Sequence, residues 1–117
     1  MKVFARFCVF LTIVTAFSGA TWKINYPETN ATGSVDEEIP VSGTGPNVIN
    51  AYIVQIMHEG PSPRPRMDSV AGNTNANGSW SCILDEAPWM KGFASIEVLS
   101  GGVVEDLRLI DIKASSN

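Results

Sequence analysis

The chain has 117 residues, of which 44% are hydrophobic and 17% charged, a size and composition that favour one globular domain. Eight basic and twelve acidic residues give a formal net charge of −4. An acidic surface repels phosphate backbones and anionic lipid headgroups, so neither nucleic acid nor a charged membrane surface is an expected partner.

The first twenty residues have the layout of an export signal. Lys2 and Arg6 precede an uncharged apolar run, Phe7 to Phe17, and small residues follow at Ser18-Gly19-Ala20. Eleven helical residues cover about 16 Å, roughly half of a bilayer's hydrocarbon core, which disfavours a membrane anchor. We therefore expect a cleaved signal peptide over residues 1–20, no membrane span after cleavage, and a secreted location, either periplasmic or extracellular.

The expected mature chain begins at Thr21. It keeps six basic and twelve acidic residues, a net charge of −6. Its single cysteine, Cys82, cannot form an internal disulfide, so stability must come from an apolar core. No His or Lys adjoins Cys82 to lower its pKa, and we expect an inert thiol, with pairing between two chains as the alternative.

Short apolar runs separated by turn residues predict antiparallel strands. In the first half we expect strands at Trp22–Tyr26, Ile39–Ser42 and Val48–His58, the last rich in β-branched and aromatic residues. Gly60–Pro65 contains three prolines and is interpreted as an exposed loop or a bridge between sheets.

In the second half, a weak strand at Met67–Ala71 precedes Asn77-Gly78, a dipeptide favoured in type I′ hairpins. Strands follow at Ser79–Leu84, at Phe93–Leu99 after an opening Gly92, and at Val103–Ile112, with a hairpin turn at Ser100-Gly101-Gly102. The apolar alternation changes phase near Glu105 to Arg108, which indicates a β-bulge there.

Seven strands without a helical pattern predict an all-β domain, an immunoglobulin-like antiparallel β-sandwich over residues 21–113 with a disordered tail over residues 114–117. The alternating apolar positions that we place in the core are Val54, Ile56, Trp80, Cys82, Leu84, Ile96 and Val98.

Three stretches resemble bacterial immunoglobulin-like (Big-type) modules. Ile39-Pro40-Val41-Ser42-Gly43-Thr44-Gly45 looks like their second strand and its turn, and Asn77-Gly78-Ser79-Trp80-Ser81 resembles their Asx-Gly turn with a small-Trp-small strand. Lys91 to Val98 resembles the glycine-led strand that comes next, and the three stretches occur in the family's order. Antibody-type domains match poorly because the cysteine pair between their sheets is missing.

No catalytic constellation or cofactor motif is visible. His58 is the only histidine, and one His with one Cys is too few for a zinc site. The acidic clusters Asp36-Glu37-Glu38, Asp85-Glu86 and Glu105-Asp106 lack the spacing of a calcium loop, so solvated surface is favoured over calcium binding. We expect a protein that is not an enzyme.

Two groups of residues are candidates for binding. Trp22, Tyr26 and Trp89 are aromatic and either form a patch for stacking on sugars or cover the ends of the core. Arg64 and Arg66 belong to a proline-stiffened segment, Pro63–Arg66, that offers bidentate donors to carboxylates. Asn30 and Asn77 lie in glycosylation sequons, and Asn77 also fits a turn.

These observations favour a secreted or periplasmic binding module that recognises a protein or an envelope component such as a glycan, in a role such as cell adhesion. A carbohydrate-binding module that uses the three aromatic residues is one alternative. A secreted inhibitor that inserts the Pro63–Arg66 loop into an enzyme's cleft is another.

Overall fold

The computed structural model describes residues 21–60 and 64–115, so the expected signal peptide, residues 61–63 and the last two tail residues lie outside it. The described residues form eight strands and no helix, which confirms the all-β prediction. The strands are β1 (Lys23–Tyr26), β2 (Ala31–Ser34), β3 (Ile39–Thr44), β4 (Ala51–His58), β5 (Arg66–Asn73), β6 (Ser79–Leu84), β7 (Gly92–Ser100) and β8 (Val103–Lys113). None of the described residues lies in a helix suited to crossing a bilayer.

Strand pairing divides the described strands into two sheets that form a β-sandwich. The smaller sheet has the order β1-β3-β6 and the larger sheet the order β2-β8-β7-β4-β5. Neighbouring strands are antiparallel, except that β2 runs parallel to β8. The sequence did not predict β2, because its residues Ala-Thr-Gly-Ser carry no apolar alternation.

The core lies between the two sheets and takes alternate residues from each strand. Six of the seven residues expected there are buried: Val54, Ile56, Trp80, Leu84, Ile96 and Val98. Cys82 is only half-buried. It belongs to β6, the last strand of the smaller sheet, and lines the open side of the sandwich that faces β5.

The β7–β8 hairpin has the predicted turn. Ser100 pairs with Val103, and Gly101 and Gly102 between them have φ values of 61° and 80°. A type I′ turn needs positive φ at both central residues, which glycine adopts without steric cost.

The expected β-bulge also occurs in β8. Val98 pairs with Asp106 and Leu99 with Val104, which leaves Glu105 as the extra residue. The bulge places Asp106 on the inner side of the larger sheet, opposite the buried Val98. There its Oδ2 accepts a hydrogen bond of 2.8 Å from the backbone N–H of Ile24 in the smaller sheet.

The prediction of a type I′ hairpin at Asn77-Gly78 is wrong. This segment connects β5 to β6, which belong to different sheets, and only Gly78 of the pair has a positive φ, 87°. Asn77 Oδ1 instead accepts hydrogen bonds from the backbone N–H and the hydroxyl of Ser79, at 3.1 and 2.8 Å. The side chain thereby shapes a turn between sheets.

The proline-rich segment Gly60–Pro65 joins β4 to β5, which are antiparallel neighbours in the larger sheet. Of the two interpretations drawn from the sequence, the bridge between sheets is therefore wrong, because the strands on either side of the segment belong to one sheet. The segment's last residue is held beside the end of β4 by a hydrogen bond of 2.9 Å from the backbone N–H of His58 to the carbonyl of Pro65.

Candidate binding surfaces

Two of the three aromatic candidates are buried. Trp22 is 6% exposed and packs edge-on against Tyr52, with ring centroids 6.3 Å apart. Trp89 is 4% exposed, and its indole N–H donates to the carbonyl of Glu37 at 2.7 Å. These rings complete the core, which agrees with the second of the two interpretations drawn from the sequence, and they are not available for stacking on a sugar.

Tyr26 is separated from Trp22 by an irregularity in β1. The pairing of β1 with β3 shifts between Ile24 and Tyr26, so Asn25 is an extra residue. Ile24 remains in the core, whereas Tyr26 is 53% exposed. Simple alternation from Trp22 would have placed both aromatic rings on one face, and the shift is the physical reason that they diverge.

The two arginine candidates have different surroundings. The Arg64 guanidinium forms a salt bridge with Glu59 and lies 3.5 Å from the carboxylate of Glu97 on β7. Arg66 begins β5, is exposed, and forms no salt bridge with any residue in ranges 21–60 and 64–115. Arg64 is thus tied to its own domain, and Arg66 is free to meet a partner.

Arg64 covers a buried polar cluster on the face of the larger sheet that points away from the smaller sheet, which we call the outer face. Glu97, 4% exposed, accepts hydrogen bonds from Gln55 Nε2 at 2.8 Å and from the Ser95 hydroxyl at 3.1 Å. The Ser95 hydroxyl and the Arg64 guanidinium lower the pKa of the neighbouring Glu59. The cluster fixes the start of the β4–β5 loop against the sheet.

Exposed apolar side chains surround this polar cluster on the outer face. They are Ile53 on β4, Phe93 on β7, and Val104, Leu107 and Leu109 on β8, and Phe93 is the most exposed at 64%. None of these five residues was among the binding residues predicted from the sequence. A signal was present, because Phe93 and Leu99 lie on the opposite face of their strand from the core residues Ile96 and Val98.

Two concave regions adjoin β5. The outer hollow, about 580 Å³, lies on the outer face beside the β7–β8 turn, and its lining includes Ile53, Ala71 and Leu99. The inner groove, about 750 Å³, lies between β5 and β6, and its lining includes Val70, Cys82 and Ile83. Neither lining contains an Asp, Glu, Lys, Arg or His among the described residues, so both regions suit apolar groups.

His58 and Cys82 carry the most reactive side chains among the described residues, and the surroundings of each limit its reactivity. His58 Nδ1 accepts from the backbone N–H of Gly60 at 3.1 Å, and Nε2 lies 3.1 Å from the carbonyl of Lys91, so both ring nitrogens are engaged. Burial and, to a smaller extent, the charge of Asp68 raise the pKa of Cys82 to about 11. At neutral pH the thiol is protonated and is a poor nucleophile.

Across residues 21–60 and 64–115, no group of three His, Cys, Asp or Glu side chains is placed to hold a metal ion. No protein-family model matches the chain, and no curated protein is similar to it at a significant level.

Proposed function

We propose that the domain is an exported, non-catalytic immunoglobulin-like module that binds a protein or a protein component of the cell envelope through its outer face. The observation that carries this proposal is the group of apolar side chains exposed there. Scattered apolar residues are ordinary on protein surfaces, but five exposed apolar side chains on one face of three neighbouring strands are typical of an interaction site.

The order of the patch supports recognition rather than chance exposure. The β7–β8 hairpin supplies four of the five residues, and its tight turn and its pairing along nearly the whole of both strands hold them in fixed positions. A preformed surface loses little conformational entropy on binding. The Arg64–Glu97 cluster at its centre adds polar groups that can orient a partner.

The chemistry of the molecule supports a binding role over catalysis. The linings of the concave regions beside β5 contain no Asp, Glu, Lys, Arg or His among the described residues, His58 is engaged at both nitrogens, and the pKa of Cys82 is about 11. A general base or an activated nucleophile needs the opposite setting.

The two alternatives suggested by the sequence receive less support. Trp22 and Trp89 are buried in the core, so of the three aromatic candidates Tyr26 alone is exposed for stacking on a sugar. Inhibition by the Pro63–Arg66 loop would require Arg64 to leave Glu59 and Glu97.

The proposal is tested by capture of partners from extracellular and envelope material of the source organism with immobilised residues 21–117. Phe93→Ser with Leu107→Ser should abolish capture of a partner that the unsubstituted domain retains. Val48→Ser with Ile49→Ser is the matched control, because these residues are 57% and 68% exposed but belong to no strand. Equal loss with both double variants, at unchanged stability, would contradict the proposal.

A further inference from the structure

The edges of the two sheets differ in how they are protected. An unpaired strand edge presents free backbone N–H and C=O groups to any extended chain, and proteins usually cover or shorten such edges. On β1, the Ile24 N–H and carbonyl are bonded by Asp106 and Arg108. In the larger sheet, one of the two edge strands, β2, is only four residues long.

The outer edge of β6 is also covered by side chains and by a turn. The Tyr52 hydroxyl donates to the Ser81 carbonyl at 3.2 Å, and the Asn75 backbone N–H donates to the Ser79 carbonyl at 2.8 Å. Just beyond the strand, Asp68 accepts from the backbone N–H of Asp85 at 3.1 Å.

β5 has little such protection beyond Ser69. It is eight residues long, ends the larger sheet, and has no strand on its outer side among the described residues. Its charged residues, Arg66 and Asp68, lie in its first three positions, and the Asp68 carboxylate accepts hydrogen bonds from the backbone N–H groups of Ser69 and Asp85. From Ser69 to Asn73 the strand has no charge and no proline, the usual features that prevent edge pairing.

The concave regions lie where an added strand would place its side chains. Successive residues of a strand point to opposite faces of the sheet. Beside β5, one face has the outer hollow and the other has the inner groove, and Ala71, Gly72 and Asn73 line both. A strand paired with this edge would therefore direct alternate side chains into one region and then the other.

We propose that β5 binds an extended peptide segment of a partner protein, which adds to the larger sheet as a further strand. This inference rests on the proposed binding function and names the partner's chemistry. The segment has uncharged apolar side chains at successive positions opposite Ser69–Asn73, and an acidic residue near Arg66. Backbone hydrogen bonds supply affinity and the two concave regions supply specificity, as in known modes of strand addition.

The size of the concave regions favours a foreign peptide over a second copy of this chain. In a β5–β5 pair, the incoming side chains opposite Ser69–Asn73 would come from that same small-residue stretch, in which Val70 is the largest apolar residue. The hollow and the groove, of about 580 and 750 Å³, are open to solvent and leave room beside β5 for apolar side chains larger than valine.

The test uses residues 21–117 to select binders from a random library of displayed peptides of about eight to twelve residues, the length of a strand. Selected peptides are synthesised, and the β5 amides are followed by hydrogen exchange. We expect enrichment of peptides with apolar residues on both faces and an acidic end, and slower exchange along Ser69–Asn73 when they bind.

Ala71→Lys is the primary variant, since Ala71 is exposed midway along the uncharged stretch and lines both concave regions, where a charged side chain opposes edge pairing. It should weaken peptide binding roughly tenfold or more. Asn73→Lys, at an exposed position of the same edge that also lines both regions, should weaken it similarly if Ala71→Lys misfolds. Ala114→Lys, an exposed residue beyond β8, is the matched control and should have no effect.

The outcomes separate the two proposals. No enrichment, or binders that leave the β5 amides unprotected, overturns the strand-addition inference. If those binders depend on Phe93 and Leu107 instead, the proposed outer-face function stands and only the inference fails. Dimerisation in the absence of peptide, detected by sedimentation, that protects the β5 amides overturns the choice of a foreign peptide as occupant.

Discussion

The two sides of the sandwich are closed in different ways. On the side of β1 and β8, Asp106 and Arg108 bond both backbone groups of Ile24 and join the sheets. On the side of β5 and β6, the Tyr52 hydroxyl, the Asp68 carboxylate and the Asn75 backbone N–H bond backbone groups of β6 or of the residue just after it, and a groove of about 750 Å³ remains open. The comparison shows that the same device, a polar side chain bonded to an edge, can either seal a sandwich or leave it accessible.

The largest expected effect is at the closed side. Asp106→Ala removes the acceptor of the Ile24 N–H and the partner of Arg108, so we expect the free energy of unfolding to fall by about 2–3 kcal/mol. Urea denaturation measures it. Asp111→Ala is the control on the same strand, since its partner Lys113 is 62% exposed and such pairs contribute about 1 kcal/mol or less. Equal losses would show that the Asp106 bonds are not structural.

A smaller effect is expected at the open side. Tyr52→Phe keeps the ring contact with Trp80 at 5.2 Å but removes the hydroxyl that bonds the Ser81 carbonyl. We expect a loss of about 1 kcal/mol in urea denaturation, together with faster hydrogen exchange in β6. Faster exchange in β1 instead would contradict the assignment of this hydroxyl to the β6 edge.

The groove also predicts how Cys82 reacts. Because the pKa of the thiol is about 11, alkylation of the folded domain by iodoacetamide should rise about tenfold per pH unit from pH 8 toward 11. Asp68→Asn removes a negative charge that raises the pKa, so the midpoint should move to lower pH. It should stay above the ordinary thiol value, since burial is the larger cause. An unchanged midpoint would contradict the contribution of Asp68.

The smallest effect on stability is expected for Arg66→Gln. Arg66 is exposed and has no salt bridge in the described part of the chain, so the free energy of unfolding should change by less than about 0.5 kcal/mol. The same variant should weaken the binding of peptides that carry an acidic end and leave uncharged peptides unaffected. A large loss of stability would mean that Arg66 is structural.

Features set by local sequence were predictable. Two adjacent glycines, Gly101 and Gly102, permit only a narrow set of turns between two apolar runs, and the phase change near Glu105 has no regular alternative. The core positions on β4 and β7 followed from alternation, because one face of each strand must be buried.

Features that depend on contacts distant in sequence were not predictable. Trp89 lies in the core, where its backbone and indole N–H groups donate to the carbonyls of Val35 and Glu37. No local sequence pattern predicts that pairing. Arg64 reaches Glu97 across 33 positions of sequence. The open edge of β5 is a property of strand order, which alternation within a strand does not encode.

The parallel pairing of β2 with β8 has a mechanical consequence. Ala31 pairs with Ile110 and Ser34 with Lys113, so tension that pulls β2 by its first residue and β8 by its last acts along the two strands in opposite directions. All hydrogen bonds between β2 and β8 would then share the load and resist sliding of one strand past the other. A hairpin pulled at its open end, by contrast, loses its hydrogen bonds one at a time. The short strand β2, which has little apolar content, thus links residues 31–34 to residues 110–113 in a geometry that resists stretching.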